Sequence, residues 1–267
     1  MSVEDDFQQR FGGIQRLYGK QASEIIQNLH VCVIGLGGVG SWAVEALART
    51  GIGQITMIDY DTVSIGNINR QLPALGETVG EKKSAILRQR VKSINPGCIC
   101  HIIDDFLTSE NLADYLSTES DYDYVIDAID SITFKAEMIY YCKRNKIPII
   151  TTGGAGGLTD PTMVQVKDLS RTINDPLAAK VRSRLRSAHG FTRTAKRYFR
   201  VDCVFSTQQP VYPKPDGSVS HEKPGIHGIS LDCSMGYGSA SFVTATFGNI
   251  AVARLITKTL KKRLAKS

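Results

Sequence analysis

Residues 30–61, HVCVIGLGGVGSWAVEALARTGIGQITMIDYD, constrain the fold more than any other stretch of this chain. An apolar run at 31–34 leads directly into Gly35, Gly37, Gly38 and Gly40. Trp42, Ala43, Ala46 and Leu47 then recur at helical spacing, and Gly51 stands where a left-handed helix terminus is expected. A second apolar run, 55–58, ends in Asp59 and Asp61. Strand, glycine turn, helix, strand is the unit that lays a nucleotide phosphate on a helix N-terminus. Glycines let the backbone approach the phosphate, and first-turn N–H groups point at it. An acidic residue about 20 positions on commonly takes a ribose hydroxyl, a role that falls to Asp59.

The pattern continues in the same sense. A helix is predicted over 81–94, with Ala85, Leu87, Val91 and Ile94 as its apolar side and Asn95-Pro96-Gly97 as its stop. Strands are predicted at 100–104, 124–126 and 147–152, and helices at 20–29, 109–116 (Ser109 as N-cap) and 134–145. Alternation of this kind specifies an α/β fold with a doubly wound, mostly parallel sheet. After Gly153-Gly154-Ala155-Gly156-Gly157 the pattern changes. Residues 162–166 read as a strand of a different, antiparallel sheet, 178–186 as a short basic helix, and 201–206 as another strand. The expected organisation is an N-terminal arm and helix (1–29), a nucleotide-binding portion (30–157), and a substrate-facing portion (158–267) closed by a long helix, all in one continuous domain.

Residues 235–256 are long and apolar enough to raise a membrane span, with Lys258, Lys261, Lys262, Arg263 and Lys266 behind them. Their small and polar start, Asn249 and Arg254 favour a buried core helix, with peripheral membrane contact left open. The six cysteines form no C-x-x-C pair, so neither a disulfide framework nor structural zinc is expected, and a cytoplasmic location follows.

The glycine turn alone leaves NAD and ATP about level, and an NAD-dependent oxidoreductase stays open on it. The absence of a Gly-Lys-Ser/Thr sequence rules out a P-loop. Further residues favour ATP. Asn69-Arg70-Gln71 follow within ten residues of Asp61, Lys83 opens a helix, and Asp127 and Asp130 end the next strand. Ligands bind at the carboxyl ends of such strands, where these side chains are expected to converge. Arg70 and Lys83 suit a triphosphate that loses pyrophosphate. A free Asp suits Mg²⁺, which takes few carboxylates plus phosphate oxygens.

GLGGVGSWAVEALARTGIGQITMIDYDTVSIGNINRQ, followed by VGEKK and DAIDS, resembles the ThiF/MoeB superfamily of ATP-dependent adenylating enzymes, relatives of ubiquitin-activating enzymes. TTGGAGGLTDPTMVQV, NDPLAAKVRSRLR, VDCVFST and DCSMGYGSASFVTATFG are similar to one branch of it, the tRNA threonylcarbamoyladenosine dehydratases. The resemblance implies attack of a carboxylate on the α-phosphate of ATP, with ATP and Mg²⁺ required. It assigns Gly37, Gly38 and Gly40 to the nucleotide turn, Asp59 to the ribose, Asn69, Arg70 and Lys83 to the phosphates, and Asp130 to the metal. It also implies a homodimer in which Arg10 or Arg16 reaches the neighbouring site, and a cysteine desulfurase system as a partner. Its main rival is adenylation of a small sulfur-carrier protein's C-terminus.

Some relatives pass the activated acyl group to a thiol. Cys203 and Cys233 each follow an Asp, which tends to raise a thiol pKa. Cys233, with Gly236 and Gly238 leading into a helix, is the better candidate, although direct ring closure needs neither. Residues 180–200 hold eight Lys/Arg and no acid: Lys180, Arg182, Arg184, Arg186, Arg193, Lys196, Arg197 and Arg200. With Phe191, Tyr198 and Phe199 interleaved, and a net charge of +6 overall, the run reads as an exposed RNA-backbone contact with aromatics for base stacking.

Overall fold

The computed structural model describes residues 3–222 and 238–265. In chain order the elements are α1 (Val3–Tyr18), α2 (Lys20–Gln27), β1 (His30–Ile34), α3 (Gly40–Arg49), β2 (Gln54–Ile58), α4 (Lys83–Ile94), β3 (Ile99–Ile103) and α5 (Leu112–Tyr115). They continue with β4 (Tyr124–Asp127), α6 (Ile132–Arg144), β5 (Ile149–Thr152), β6 (Val164–Asp168), α7 (Pro176–Ala188) and β7 (Asp202–Ser206). A two-residue hairpin, β8 (Tyr212–Pro213) with β9 (Val219–Ser220), precedes α8 (Ser241–Leu264).

Seven strands form one sheet in the order β3-β2-β1-β4-β5-β7-β6. All pairs are parallel except β6 with β7. The doubly wound fold is therefore as expected from the strand–helix alternation. The strand expected at 162–166 is antiparallel, but it joins this sheet at its edge rather than a different one. It does so because β7 returns parallel beside β5, which leaves an open edge for β6.

Both faces are covered. One apolar layer gathers Ala43, Leu47, Leu87 and Val91 with Val243, Phe247, Ala251 and Leu255 of α8. The other gathers Ile34, Ile139, Cys142, Val181, Leu185 and Phe205. Full burial of each Val, Leu, Ile or Phe side chain among these contributes about 1.5–3 kcal/mol. The final helix packs over β5, β6 and β7 and against α3, which it meets at Gly248, where an added Cβ would lie 2.6 Å from the Val39 carbonyl oxygen. This close approach makes α8 a core element. Among the described residues no helix is long and apolar enough to cross a membrane.

Three local expectations change. The helix at 109–116 shrinks to Leu112–Tyr115 with Asn111 as its flank, and Ser109 instead donates to Glu137 Oε2 at 2.6 Å. Ala85 is exposed, and the buried face of α4 begins with Lys83 and Ser84 before Leu87 and Val91. Phe199 belongs to the core, its ring 4.9 Å from that of Phe191, so it is not available to stack on a base.

Candidate nucleotide-binding active site

β1 and β4 are the neighbours at which the strand order reverses, and Ile34 lies in register with Asp127. The two turns that follow them leave the sheet side by side. This is the crevice where open α/β sheets bind their ligands.

The glycine turn is fixed by contacts that only glycine allows. Gly35 has φ 86°, and a Cβ there would lie 2.9 Å from Ile129 Cγ2 and 3.0 Å from the Ala128 backbone. A Cβ on Gly40 would sit 1.7 Å from the Gly35 carbonyl oxygen. Gly37 is different: the nearest atom to an added Cβ is Gln71 Nε2 at 3.8 Å. Its freedom leaves room for a ligand, whereas Gly35 and Gly40 serve the turn itself. Ser41 Oγ donates to the Gly37 carbonyl at 2.6 Å and accepts from Leu72 N at 3.2 Å. Gly38 faces the aliphatic part of Arg70 and the Thr244 methyl of α8.

Asp59 closes the turn from the end of β2. Its Oδ2 accepts from Leu36 N at 2.5 Å and its Oδ1 from Asp61 N at 2.8 Å. Burial pushes its carboxyl above the ordinary value despite those two hydrogen bonds. Each oxygen keeps an unused lone pair, as a ribose contact requires. Lys83, at the first position of α4 and buried, reaches Asp61 Oδ2 at 2.8 Å. The Asp61 carboxylate is itself largely exposed. Arg70 packs its aliphatic part against Gly38. Its Nη1 donates to the Gly66 carbonyl at 2.9 Å and to Asn69 Oδ1 at 3.1 Å, and its own carbonyl accepts from Trp42 Nε1 at 3.0 Å. Asn69 Nδ2 donates to the Ser239 carbonyl at 2.8 Å. Asp130 is exposed in the turn after β4.

Asp127 departs from the expectation that it converges here. Asp127 turns into the core, fully buried, with Lys135 Nζ 2.8 Å from its Oδ1 and Thr151 Oγ1 2.6 Å from its Oδ2. Burial pushes its carboxyl up, against the pull of Lys135. Arg10 is held within its own chain by Asp6 at 2.7 Å and the Ser93 carbonyl at 3.3 Å, whereas Arg16 is exposed in the last turn of α1. Gln71, read in the sequence only as the last residue of the Asn69-Arg70-Gln71 turn, places its Nε2 3.8 Å from where a Gly37 Cβ would stand. It is buried, and its side-chain oxygen has no hydrogen-bond partner among the described residues. Its position directly after Arg70 is the only sequence signal that points to it.

Mg²⁺ fits the donor set in one way. Among the described residues no three His, Cys, Asp or Glu side chains gather to hold a metal. An exposed single carboxylate such as Asp130 does not make a cage. It fits an ion that arrives with phosphate oxygens and keeps its waters, as Mg²⁺ does.

Of the two candidate thiols, Cys203 is fully buried on β7, and burial pushes its thiol well above the ordinary value. Such a thiol is a poor nucleophile. Cys233 and Gly236 lie outside the described residues; Gly238 is described, and its carbonyl accepts from Gly157 N at 2.7 Å.

The basic run divides in two. Lys180, Arg184, Arg193, Lys196, Arg197 and Arg200 are exposed. Arg182 hydrogen-bonds Thr172 Oγ1, and Arg186 lies 5.4 Å from the Phe199 ring and donates to the Thr192 carbonyl at 3.3 Å. These two are partly absorbed by the fold. Tyr198 remains exposed, with the Arg171 guanidinium 4.7 Å from its ring centre.

The glycine turn with Asp59 beneath it suits a nucleotide phosphate, and comparison with known families agrees. The ThiF family model matches residues 12–267. The chain belongs to the ThiF family. Among ThiF-family relatives, the Escherichia coli K12 tRNA threonylcarbamoyladenosine dehydratase is 52% identical over 261 residues, covering 97% of each chain. The E. coli enzyme solved in complex with ATP superimposes with a TM-score of 0.88 at 48% identity and covers 100% of both chains. Its complex with AMP gives a TM-score of 0.87, also at 48% identity, covering 99% of each chain.

Proposed function

We infer that this ThiF-family chain is an ATP-dependent tRNA-modifying enzyme that dehydrates threonylcarbamoyladenosine, next to the anticodon, to its cyclic form. The observation that carries the reading is the likeness over the full chain to a dehydratase solved with both ATP and AMP. It is joined to a crevice whose charged side chains suit a triphosphate.

In the first step an oxygen of the threonyl carboxylate attacks the α-phosphorus of ATP. The bond from that phosphorus to the bridging oxygen breaks and pyrophosphate leaves. In the second step the carbamoyl group of the same nucleoside attacks the acyl carbon, the acyl–phosphate bond breaks, and AMP departs with the oxygen that the substrate loses. Holding the two groups in one nucleoside makes the closure intramolecular. Neither step calls on a cysteine, which agrees with the buried Cys203.

In this reading Gly35, Gly37, Gly38 and Gly40 form the phosphate cradle, and Asp59 takes the ribose. Arg70 and Lys83 meet the phosphates, with Asn69 and Asp61 beside them. Asp130 is the residue that would hold Mg²⁺, which supplies charge neutralisation for the departing pyrophosphate. Arg16, exposed on α1, would reach the neighbouring site of a homodimer. Arg184, Arg193, Lys196, Arg197 and Arg200 would track the RNA backbone, with Arg182 and Arg186 holding their helix in place. The division at 157 separates the portion that activates from the portion that meets RNA. A cytoplasmic location and a cysteine desulfurase partner complete the proposal.

Purified protein supplied with ATP should release pyrophosphate and AMP when given tRNA carrying threonylcarbamoyladenosine. Release only with a small sulfur-carrier protein would replace this reading by carrier activation, and nicotinamide binding without ATP binding would remove both.

A further inference from the structure

Behind the crevice lies a buried polar cluster that the chemistry above does not use. Lys135, Asp127, Thr151, Asp175 and Cys203 are all buried, from three strands, one helix and the cap of another. Lys135 Nζ lies 2.8 Å from Asp127 Oδ1, and it donates to Thr151 Oγ1 at 3.1 Å and to the Asp127 carbonyl at 3.4 Å. Asp175 caps α7 through Ala178 N at 2.8 Å and accepts from Gly154 N at 3.1 Å. Its carboxylate occupies the space where a Gly153 Cβ would stand, 1.7 Å from Oδ2. Thr151, to which Lys135 donates, lies two residues before Gly153, on the strand end against which Asp175 is held.

Each partner anchors a segment that borders the site. Asp127 is followed by Ala128 and Ile129, which press on Gly35 of the phosphate cradle, and then by Asp130. Asp175 fixes the start of the 153–157 glycine turn and the N-terminus of α7, the helix that carries Arg184. Burying the Lys135–Asp127 ion pair and a second carboxylate, Asp175, is costly unless geometry is good, and well-packed apolar residues would serve the core alone at least as well. We propose that Lys135 is a positioning residue for the reaction: through Asp127 and Thr151 it sets the cradle-side turn and the turn that Asp175 holds in fixed relation. The inference rests on the dehydratase reading for the reaction concerned, while the positioning itself does not depend on it.

Lys135→Met leaves the buried Asp127 carboxylate without its cation, and its failure to fold would be uninformative alone. The double variant Lys135→Met/Asp127→Asn removes a charge from each side of the pair and is the decisive protein. Hydrogen exchange on the full chain, without substrate, should show faster exchange confined to peptides covering 127–133, 151–157 and 174–180. With ATP and modified tRNA, turnover should fall about 100-fold, as misplacement of reacting groups commonly costs, while ATP affinity stays within about threefold. Lys135→Arg should restore part of the turnover. Unchanged exchange in those peptides, wild-type turnover in the double variant, or its failure to fold would each overturn the proposal. Because the exchange readout needs no substrate, failure of the dehydratase reading would show only in the wild-type turnover.

Discussion

Lys83 Nζ rests 2.8 Å from Asp61 Oδ2, with the ammonium buried and the carboxylate largely in water. The pair holds a cation at the mouth of the crevice without neutralising it inside a closed core. Solvent can take over the Asp61 carboxylate, so Lys83 can turn to an arriving phosphate at little cost.

Lys83→Ala is therefore expected to fold, since the carboxylate it abandons is hydrated. Pyrophosphate release should fall about 100- to 1,000-fold, the usual loss when one preorganised charge at a transition state is removed. Thermal unfolding and pyrophosphate assays on the same preparation check both parts.

The two kinds of glycine in the cradle should separate cleanly. Gly40→Ala forces a Cβ to within 1.7 Å of the Gly35 carbonyl oxygen, so it should lose about 2 kcal/mol of stability or more together with ATP binding. Gly37→Ala meets nothing nearer than 3.8 Å. It should keep its unfolding temperature and lose ATP affinity, as calorimetric titration would reveal.

Changing Arg184, Arg193, Lys196 and Arg197 together to Ala should weaken tRNA binding. The log–log salt slope should fall by about 0.7–0.9 for each phosphate that the variant no longer neutralises. Arg182→Ala should act differently, because its guanidinium bonds Thr172 beside the α7 cap. Its expected signature is a lower unfolding temperature with the slope nearly intact.

Asp202 links β7 to α8 through Arg254 at 2.7 Å and Lys258 at 3.1 Å. Burial alone would raise its carboxyl, but hydrogen bonds from Arg254 and Lys258 outweigh burial and hold it below the ordinary value. A depressed folded-state pKa means that the unfolded chain binds the proton first. The stabilisation is present above about pH 4, the ordinary Asp value, and is lost as pH falls from there through the folded pKa. Asp202→Asn should cost on the order of 1 kcal/mol at pH 7, and the difference from wild type should shrink below pH 4 in urea unfolding.

Local physics explains which features can be read in the sequence. Gly35, Gly40 and Gly51 announce themselves because backbone geometry at a strand–helix turn or a helix end admits no side chain, and Asp59 because it ends a strand at the right interval. Asp127 can be placed at the end of its strand, but its direction cannot be read. It points inward because Lys135, one helical turn into α6, and Thr151, on the next strand, supply its partners. Asp175 is invisible for the same reason: Gly154 N lies 21 positions away in sequence. The basic run is visible as charge, yet the burial of Phe199 and the inward turn of Arg182 depend on how α7 packs. Ser109 matches a helix cap by type, but Glu137 of α6 claims its hydroxyl.

Mass spectrometry of tRNA nucleosides tests the central claim most directly. The purified chain is incubated with ATP and tRNA carrying threonylcarbamoyladenosine, and the digest is compared with a reaction lacking the protein. The account predicts an ATP-dependent nucleoside one water lighter than threonylcarbamoyladenosine, absent when Lys83→Ala replaces the wild type. An unchanged nucleoside in the presence of active, ATP-binding protein would contradict it.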